Sequence, residues 1–348
     1  MNVYSPWKVA HHPLLIQMVG KGYPTPPIHL NIDITNICSQ QCLWCMYQSN
    51  ITLGGINRDV NLTAKISSER LDKLIEEFVE CGIQGVEITG GGEPLIHPYF
   101  NTFVESLLKF GIKVGVITNG DFLGKHIDTL SQCLYVRVSI TSLSENIHKE
   151  TRKPKTNTTV ADIIKMVGNL NSVKQRYCMV GVGLTIDKSN YKEIYDIVKK
   201  AKEIGCNNIR LIMTWVNDPS EYSEIWGEVV RQVERSKEFN NDYFTIIPPY
   251  SYMKYMNEKK DFKKCYYPWL TMNITADGEC YPCCILRGVK EYSFGNINDE
   301  SLWDIVYGSK RKNLIRNIIP SKCPVCIWGE KAQFLEYLVE GGGHCEFV

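Results

Sequence analysis

Between residues 28 and 213 short apolar runs alternate six times with amphipathic stretches, and this rhythm confines the chain to few folds. Runs at 28–34, 86–89, 113–118, 134–140, 178–186 and 208–213 read as strands, and the stretches near 68–81, 99–110, 123–132, 160–170 and 191–204 read as helices. Leu71, Leu74, Ile75 and Phe78 fall on one face of the first of these helices, and Gly82 stops it. Strands that recur with a helix between them pair in parallel, because a parallel crossover needs a connection of that length. The expected class is α/β, with six strand-helix units forming a partial (β/α)6 TIM-like barrel. The 348 residues, 44% hydrophobic, suffice for a packed core.

Cysteine is abundant and unevenly placed. Three of the 14 cysteines, Cys38, Cys42 and Cys45, lie within eight residues just after the first strand. Four stand singly at apolar positions, Cys81, Cys133, Cys178 and Cys206, and read as small core residues. Seven follow residue 264. A disulfide framework would call for an oxidising compartment, and the chain shows neither a signal segment nor an apolar run of about 18 residues. The expected location is cytoplasmic, without a membrane partner. A net charge of +1 leaves no footprint for nucleic acid. Thiolates hold iron-sulfur clusters, and three within one loop can ligate a 4Fe-4S cube while leaving its fourth iron open. Zinc is the competing reading, although zinc sites more often use paired C-x2-C units.

In parallel barrels functional groups gather at the carboxyl ends of the strands, where the loops converge. The cysteine loop follows strand one, Gly90-Gly91-Gly92-Glu93-Pro94 follows strand two, Thr118-Asn119-Gly120 ends strand three, and Ser139 lies in strand four. A glycine run alone is more often a tight turn. The shared location gives the set its weight.

With these residues in place the chain resembles the radical S-adenosylmethionine (radical SAM) enzymes, whose C-x3-C-x2-C signature stands here as Cys38, Cys42 and Cys45. Gly91-Gly92-Glu93-Pro94 resembles the family's GGEP motif, which binds the amino group of the methionine moiety through exposed backbone and carboxylate. By the same resemblance Trp44 lies beside adenine, Ser139 contacts ribose, Asn119 joins the cofactor set, and Arg152 is a candidate partner for the methionine carboxylate. A solvated arginine in a basic loop is an equal account of Arg152. Leu184 and Met213 are candidate adenine neighbours, with core packing an equal account. The family's mechanism is reductive cleavage of S-adenosylmethionine to a 5'-deoxyadenosyl radical, which abstracts a hydrogen atom from a substrate carbon.

After about residue 241 the strand-helix rhythm ends. Residues 270–283 alternate and turn at Asp277-Gly278 as a hairpin does, a helical stretch follows at about 301–316, and Cys323-Pro324-Val325-Cys326 closes the region. The arrangement resembles the family's auxiliary-cluster extension, the SPASM or shorter twitch domain. No cysteine lies between 327 and 338, where a full SPASM domain carries two more, so the resemblance implies one auxiliary 4Fe-4S cluster on Cys265, Cys283, Cys323 and Cys326. Cys280, Cys284 and Cys345 are left over; Cys280 or Cys345 could replace a ligand, and Cys345 could donate a hydrogen atom to a substrate radical. Zinc stays open in this tail.

The expected domains are an N-terminal extension at 1–27, a radical SAM core at 28–240 and a SPASM/twitch-like domain at 241–348. The extension is too short for the leader-binding domain often fused to peptide-modifying members of the family. Residues 46–66, rich in Asn, Gly and Thr, could line or cover the barrel mouth. The resemblance implies an oxidoreductase or isomerase supplied with electrons by a flavodoxin or ferredoxin. The expected substrate is a small polar molecule, an aminosugar or nucleoside, that is dehydrogenated or epimerised. The alternatives are crosslinking or epimerisation of a ribosomally made peptide and, in another class, a non-enzymatic iron-sulfur electron carrier.

Overall fold

The computed structural model describes residues 5–48, 58–214, 216, 218–250, 260–323 and 325–341. Seven parallel strands follow one another: β1 (His29–Asp33), β2 (Gly85–Thr89), β3 (Lys113–Thr118), β4 (Tyr135–Ile140), β5 (Met179–Ile186), β6 (Asn208–Met213) and β7 (Thr245–Ile247). The seventh was not expected, because three residues are too few to show a period. On the other edge β8 (Thr271–Ile274) runs parallel to β1, and β9 (Glu279–Tyr281) and β10 (Gly295–Asn296) fold back antiparallel. The sheet of ten strands ends at β10 and β7, so the barrel is partial and open.

Helices cover the outer face. After α1 (Pro13–Gly20), α2 (Ser68–Glu80) is capped by the Ser67 hydroxyl on the Arg70 N–H and buries Leu71, Leu74, Ile75 and Phe78, as its spacing predicts. Next come α3 (Phe100–Lys109), the short α4 (Ile127–Leu130) and α5 (Glu145–Arg152), capped by Ser144. A capping box between Thr159 and Asp162 starts α6 (Val160–Val173), and α7 (Ile194–Glu203) and α8 (Ser223–Ser236) complete the layer. Strand side chains alternate between the two faces. Leu30, Ile32, Val86, Ile88, Val136 and Val138 are buried against the helices, whereas Asn31, Glu87, Arg137, Ser139, Gly183 and Arg210 belong to the inner face.

The tail begins with α9 (Tyr267–Leu270) and makes the hairpin anticipated at Asp277-Gly278, where Gly278 takes φ +91. The single helix expected at 301–316 is two, α10 (Leu302–Tyr307) and α11 (Ser309–Arg316), broken at Gly308, where a Cβ would lie 2.3 Å from the Asp304 carbonyl oxygen. The last helix, α12 (Gly329–Glu340), packs on α1 and sets Phe334 edge-on to Trp7. Arg311, 1% exposed, donates to the carbonyls of Thr25, Val306, Pro268 and Trp269, which binds the N-terminal extension, α9 and α10 to one guanidinium. No helix of the described residues is long and apolar enough to cross a membrane.

Candidate functional site

The three-cysteine loop leaves β1 at Asp33 and is clamped from two sides. On one side Asn36 N–H donates to the Ala64 carbonyl (2.8 Å) and Ile66 N–H to that of Ile34 (3.0 Å), so residues 64–66 run beside the start of the loop. Gly92 N–H donates to Thr35 (3.1 Å) and Glu93 N–H to Ile37 (2.9 Å). A Cβ at Gly91 would lie 1.9 Å from Asn36 Oδ1, and one at Gly92 would lie 2.1 Å from the Ile37 oxygen. These glycines allow a close approach, and the body that approaches them is the cysteine loop itself.

Glu93 is turned into the protein rather than toward solvent. Its carboxylate, 1% exposed, accepts hydrogen bonds from Thr118 Oγ1 (2.7 Å), Asn119 N–H (2.7 Å) and Leu95 N–H (3.0 Å), tying the β2 loop to the end of β3. Burial pushes its pKa up to about 7, against those three donors. Asn119 Nδ2 reaches Ser39 Oγ at 3.0 Å and Cys38 Sγ at 3.8 Å. Asp121 accepts from Ser39 Oγ (2.6 Å) and Gln40 Nε2 (2.9 Å).

The second clamp is the end of α5. Gln41 N–H donates to the Arg152 carbonyl (2.8 Å), Leu43 N–H to that of Thr151 (2.9 Å), and Lys155 N–H to that of Ser39 (2.7 Å). Between them Lys153 adopts φ 45, the left-handed position that ends a helix. The Arg152 side chain is 4% exposed and donates to Gln40 Oε1 (3.1 Å) and Thr141 Oγ1, so it is not a solvated loop arginine. Its charge opposes the rise that burial imposes on the Cys42 thiol; burial also raises Cys45 and pushes Cys38 up to about 12. Metal binding at these thiols must displace protons.

Trp44 is half-buried between Cys42 and Cys45, and Ser139 lies on the inner face of β4. Leu184 and Met213 do not share that face. Strand register pairs Ser139 with Gly183, whereas Leu184 pairs with Ile140 and Met213 with Ile186, on the side buried against the helices. Both are core residues, and the inner-face positions next to them are Thr185 and Ile212.

In the tail Cys265, Cys283, Cys323 and Cys326 border a single small cavity, walled by apolar side chains that include Phe262, Tyr267, Ile285 and Trp328. Tyr267 and Trp328 stack at 5.3 Å. Cys280 does not reach the cavity; it is fully buried in β9 within the main core. Cys284 lies outside it as well, among the charges of Arg287, Glu87 and Arg210. Cys345 falls outside the described residues. Cys81, Cys133, Cys178 and Cys206 are buried in the core, as their apolar positions suggest.

The two thiol sets suit iron-sulfur clusters: all are cysteines, one trio is partly exposed, and four others surround an apolar chamber. Among the described residues no group of three His, Cys, Asp or Glu side chains is arranged to hold a single metal ion. Sequence reasoning missed Gln40, Asp121 and the pair Asp33–Arg287, in which Arg287 Nη1 lies 2.8 and 2.7 Å from the two Asp33 carboxylate oxygens. Only the position of Gln40 inside the cysteine loop, and that of Asp121 just past a strand end, hinted at a role.

Known proteins match this geometry. Residues 32–186 match the Radical SAM superfamily, and residues 265–327 match SPASM, an iron-sulfur cluster-binding domain. The antilisterial bacteriocin subtilosin biosynthesis protein AlbA of Bacillus subtilis is 23% identical over 317 residues, covering 86% of this chain and 65% of AlbA. A Pyrococcus furiosus protein, the tungsten-containing aldehyde ferredoxin oxidoreductase cofactor-modifying protein, is 23% identical over 336 residues, 88% of this chain and 89% of its own. The chain spans about two thirds of AlbA's length and half that of the Synechocystis GTP 3',8-cyclase, which is 27% identical over 178 residues. Among solved structures, Streptococcus suis SuiB bound to precursor peptide SuiA aligns with a TM-score of 0.64 at 17% identity, over 91% of this chain and 73% of SuiB. The two matched domains imply a 4Fe-4S cluster, auxiliary cluster binding and S-adenosylmethionine. From its three-cysteine loop to its cavity-lining cysteines, the chain belongs to the radical SAM superfamily and carries a SPASM domain.

Proposed function

We propose that this chain is a radical SAM enzyme that modifies a ribosomally made peptide by crosslinking or epimerisation. The observation that carries the reading is the likeness to AlbA, which covers 86% of the chain. SuiB, whose fold the chain shares, has been solved with a precursor peptide. The open sheet agrees, since a barrel not closed between β7 and β10 leaves a side through which an extended chain can enter. An aminosugar or nucleoside substrate is the weaker reading, because GTP 3',8-cyclases cover less of this chain than AlbA does, 50% for that of Synechocystis and 77% for the probable one of Archaeoglobus fulgidus.

In this reading residues 28–240 form the catalytic core and 241–348 the auxiliary domain. Cys38, Cys42 and Cys45 hold the first cluster, and Cys265, Cys283, Cys323 and Cys326 hold one auxiliary cluster. Bound together, the first cluster and S-adenosylmethionine supply the reductive cleavage that yields a 5'-deoxyadenosyl radical. The chain's own residues position that chemistry. Gly91, Gly92 and Glu93 brace the cysteine loop from the β2 side, Asn119 faces Cys38, and Arg152 holds Gln40 from beneath. Trp44 and Ser139 are the proposed adenosine contacts. A flavodoxin or ferredoxin is the proposed electron source.

The test is to incubate the anaerobically reconstituted protein with reductant, S-adenosylmethionine and any short peptide found encoded beside its gene. A peptide lacking two hydrogen atoms reports a crosslink; one that gains a single deuterium in heavy water reports epimerisation. Formation of 5'-deoxyadenosine with aminosugars or nucleosides and with no peptide would overturn the proposal. Absence of 5'-deoxyadenosine with either class would favour the electron-carrier alternative.

A further inference from the structure

The cysteine loop and the auxiliary region meet at one buried ion pair. Asp33 ends β1, five residues before Cys38, and is essentially inaccessible to solvent. Arg287 follows Cys283 by four residues, with its side chain 11% exposed. One guanidinium nitrogen reaches both oxygens of the Asp33 carboxylate, at 2.8 and 2.7 Å. The same carboxylate accepts from Thr89 Oγ1 (3.0 Å) and from Tyr47 O–H (3.3 Å), and Tyr47 lies two residues past Cys45. Arg287 also faces the Tyr47 ring, 5.5 Å from its centroid. Asp33 and Tyr47 bracket the three cysteines, so both ends of that loop converge on one carboxylate, and a cation from the auxiliary region neutralises it. Two further contacts follow the same seam: Arg58 Nη2 donates to the Ile285 carbonyl (2.8 Å), and Asp59 N–H to that of Gly288 (3.0 Å).

We propose that Asp33 and Arg287 are positioning residues that latch the auxiliary region to the base of the three-cysteine loop and keep the charge beside the first cluster balanced. This inference rests on the reading of Cys38, Cys42 and Cys45 as cluster ligands. Neither residue touches the reacting atoms; both act through the loop. An ion pair at a seam biases a nearby redox centre only through imbalance, because the intact pair is close to neutral. Removing the cation leaves a buried negative charge that disfavours reduction, and removing the anion leaves a positive charge that favours it.

The experiment is a potentiometric titration of the holoprotein, followed by the electron paramagnetic resonance (EPR) signal that changes on adding S-adenosylmethionine, which identifies the first cluster. Arg287→Met is expected to lower its midpoint potential and Asp33→Asn to raise it, each by up to about tenfold in the reduction equilibrium, or about 59 mV for a one-electron couple. Arg287→Lys is expected to stay near wild type. The double variant Asp33→Asn with Arg287→Met returns close to the wild-type potential and carries the test if a single variant fails to fold. Shifts of the same sign in both single variants, or no shift with iron content unchanged, overturn the latch. Separately, a Cys38→Ala protein with wild-type iron and an unchanged S-adenosylmethionine-dependent signal would overturn the cluster reading on which the latch rests.

Discussion

The two cysteine regions share a donor atom and little else. The N-terminal trio sits in a loop held by backbone hydrogen bonds from the β2 loop and from α5, with Asn119, Gln40, Asp121 and Arg152 around it and its thiols partly open. The C-terminal four surround an apolar chamber walled by rings and aliphatic side chains from segments dozens of residues apart. A polar, braced loop suits an iron that must exchange ligands and meet a charged cofactor. An apolar chamber with four thiols suits a cluster that keeps all four of its ligands. In the proposed function the difference gives the first region the chemistry and the second a cluster with a full set of ligands.

Cys42→Ala should break the contrast most strongly. All S-adenosylmethionine cleavage is expected to be lost while about four irons per chain remain in the chamber, measured by iron counting and 5'-deoxyadenosine assay. Cys323→Ala should do the reverse, removing about four irons while keeping the S-adenosylmethionine-dependent EPR signal. If both variants lose all iron, the regions are not independent. A smaller effect is expected at Gly92→Ala, whose new Cβ would meet backbone at 2.1 and 2.5 Å; overpacking of this kind should cost about 3 kcal/mol in denaturant unfolding. Val79→Ala, on the exposed side of α2, should cost far less.

The smallest expected effect is one of pH. Burial raises Glu93 from 4.5 to about 7, so between those values the folded protein holds a proton that the unfolded chain has released. That contribution to stability is fully present below pH 4.5 and is lost as the pH rises through about 7. Glu93→Gln cannot ionise, so its stability relative to wild type should increase across that window. A difference that stays flat from pH 4.5 to 7 would mean that the carboxylate's three donors outweigh its burial.

Much of this was legible in the chain because periodicity and ligand spacing are local. Leu71, Leu74, Ile75 and Phe78 announce α2 without reference to anything distant, and Asp277-Gly278 announces the hairpin. What escaped was set by tertiary packing. With Ile147 its single apolar residue among eight, α5 has no apolar signature, yet its last turn holds the cysteine loop. Leu184 is one residue from the inner-face position on β5, a displacement that only strand register reveals. At Glu93 a sequence shows a carboxylate without showing the three donors that surround it. The partners Asp33 and Arg287 are 254 residues apart, and nothing local in either segment points to the other.

The pairing of β1 with β8 has a consequence for the order of synthesis. Residues 271–274 are synthesised long after β1, and until then β1 presents a bare edge directly upstream of Cys38. The nascent protein therefore cannot complete the setting of its first thiol loop while it is being translated. Loading of the first cluster is therefore expected to follow synthesis of the tail, and slow metal delivery should leave empty protein rather than half-loaded intermediates.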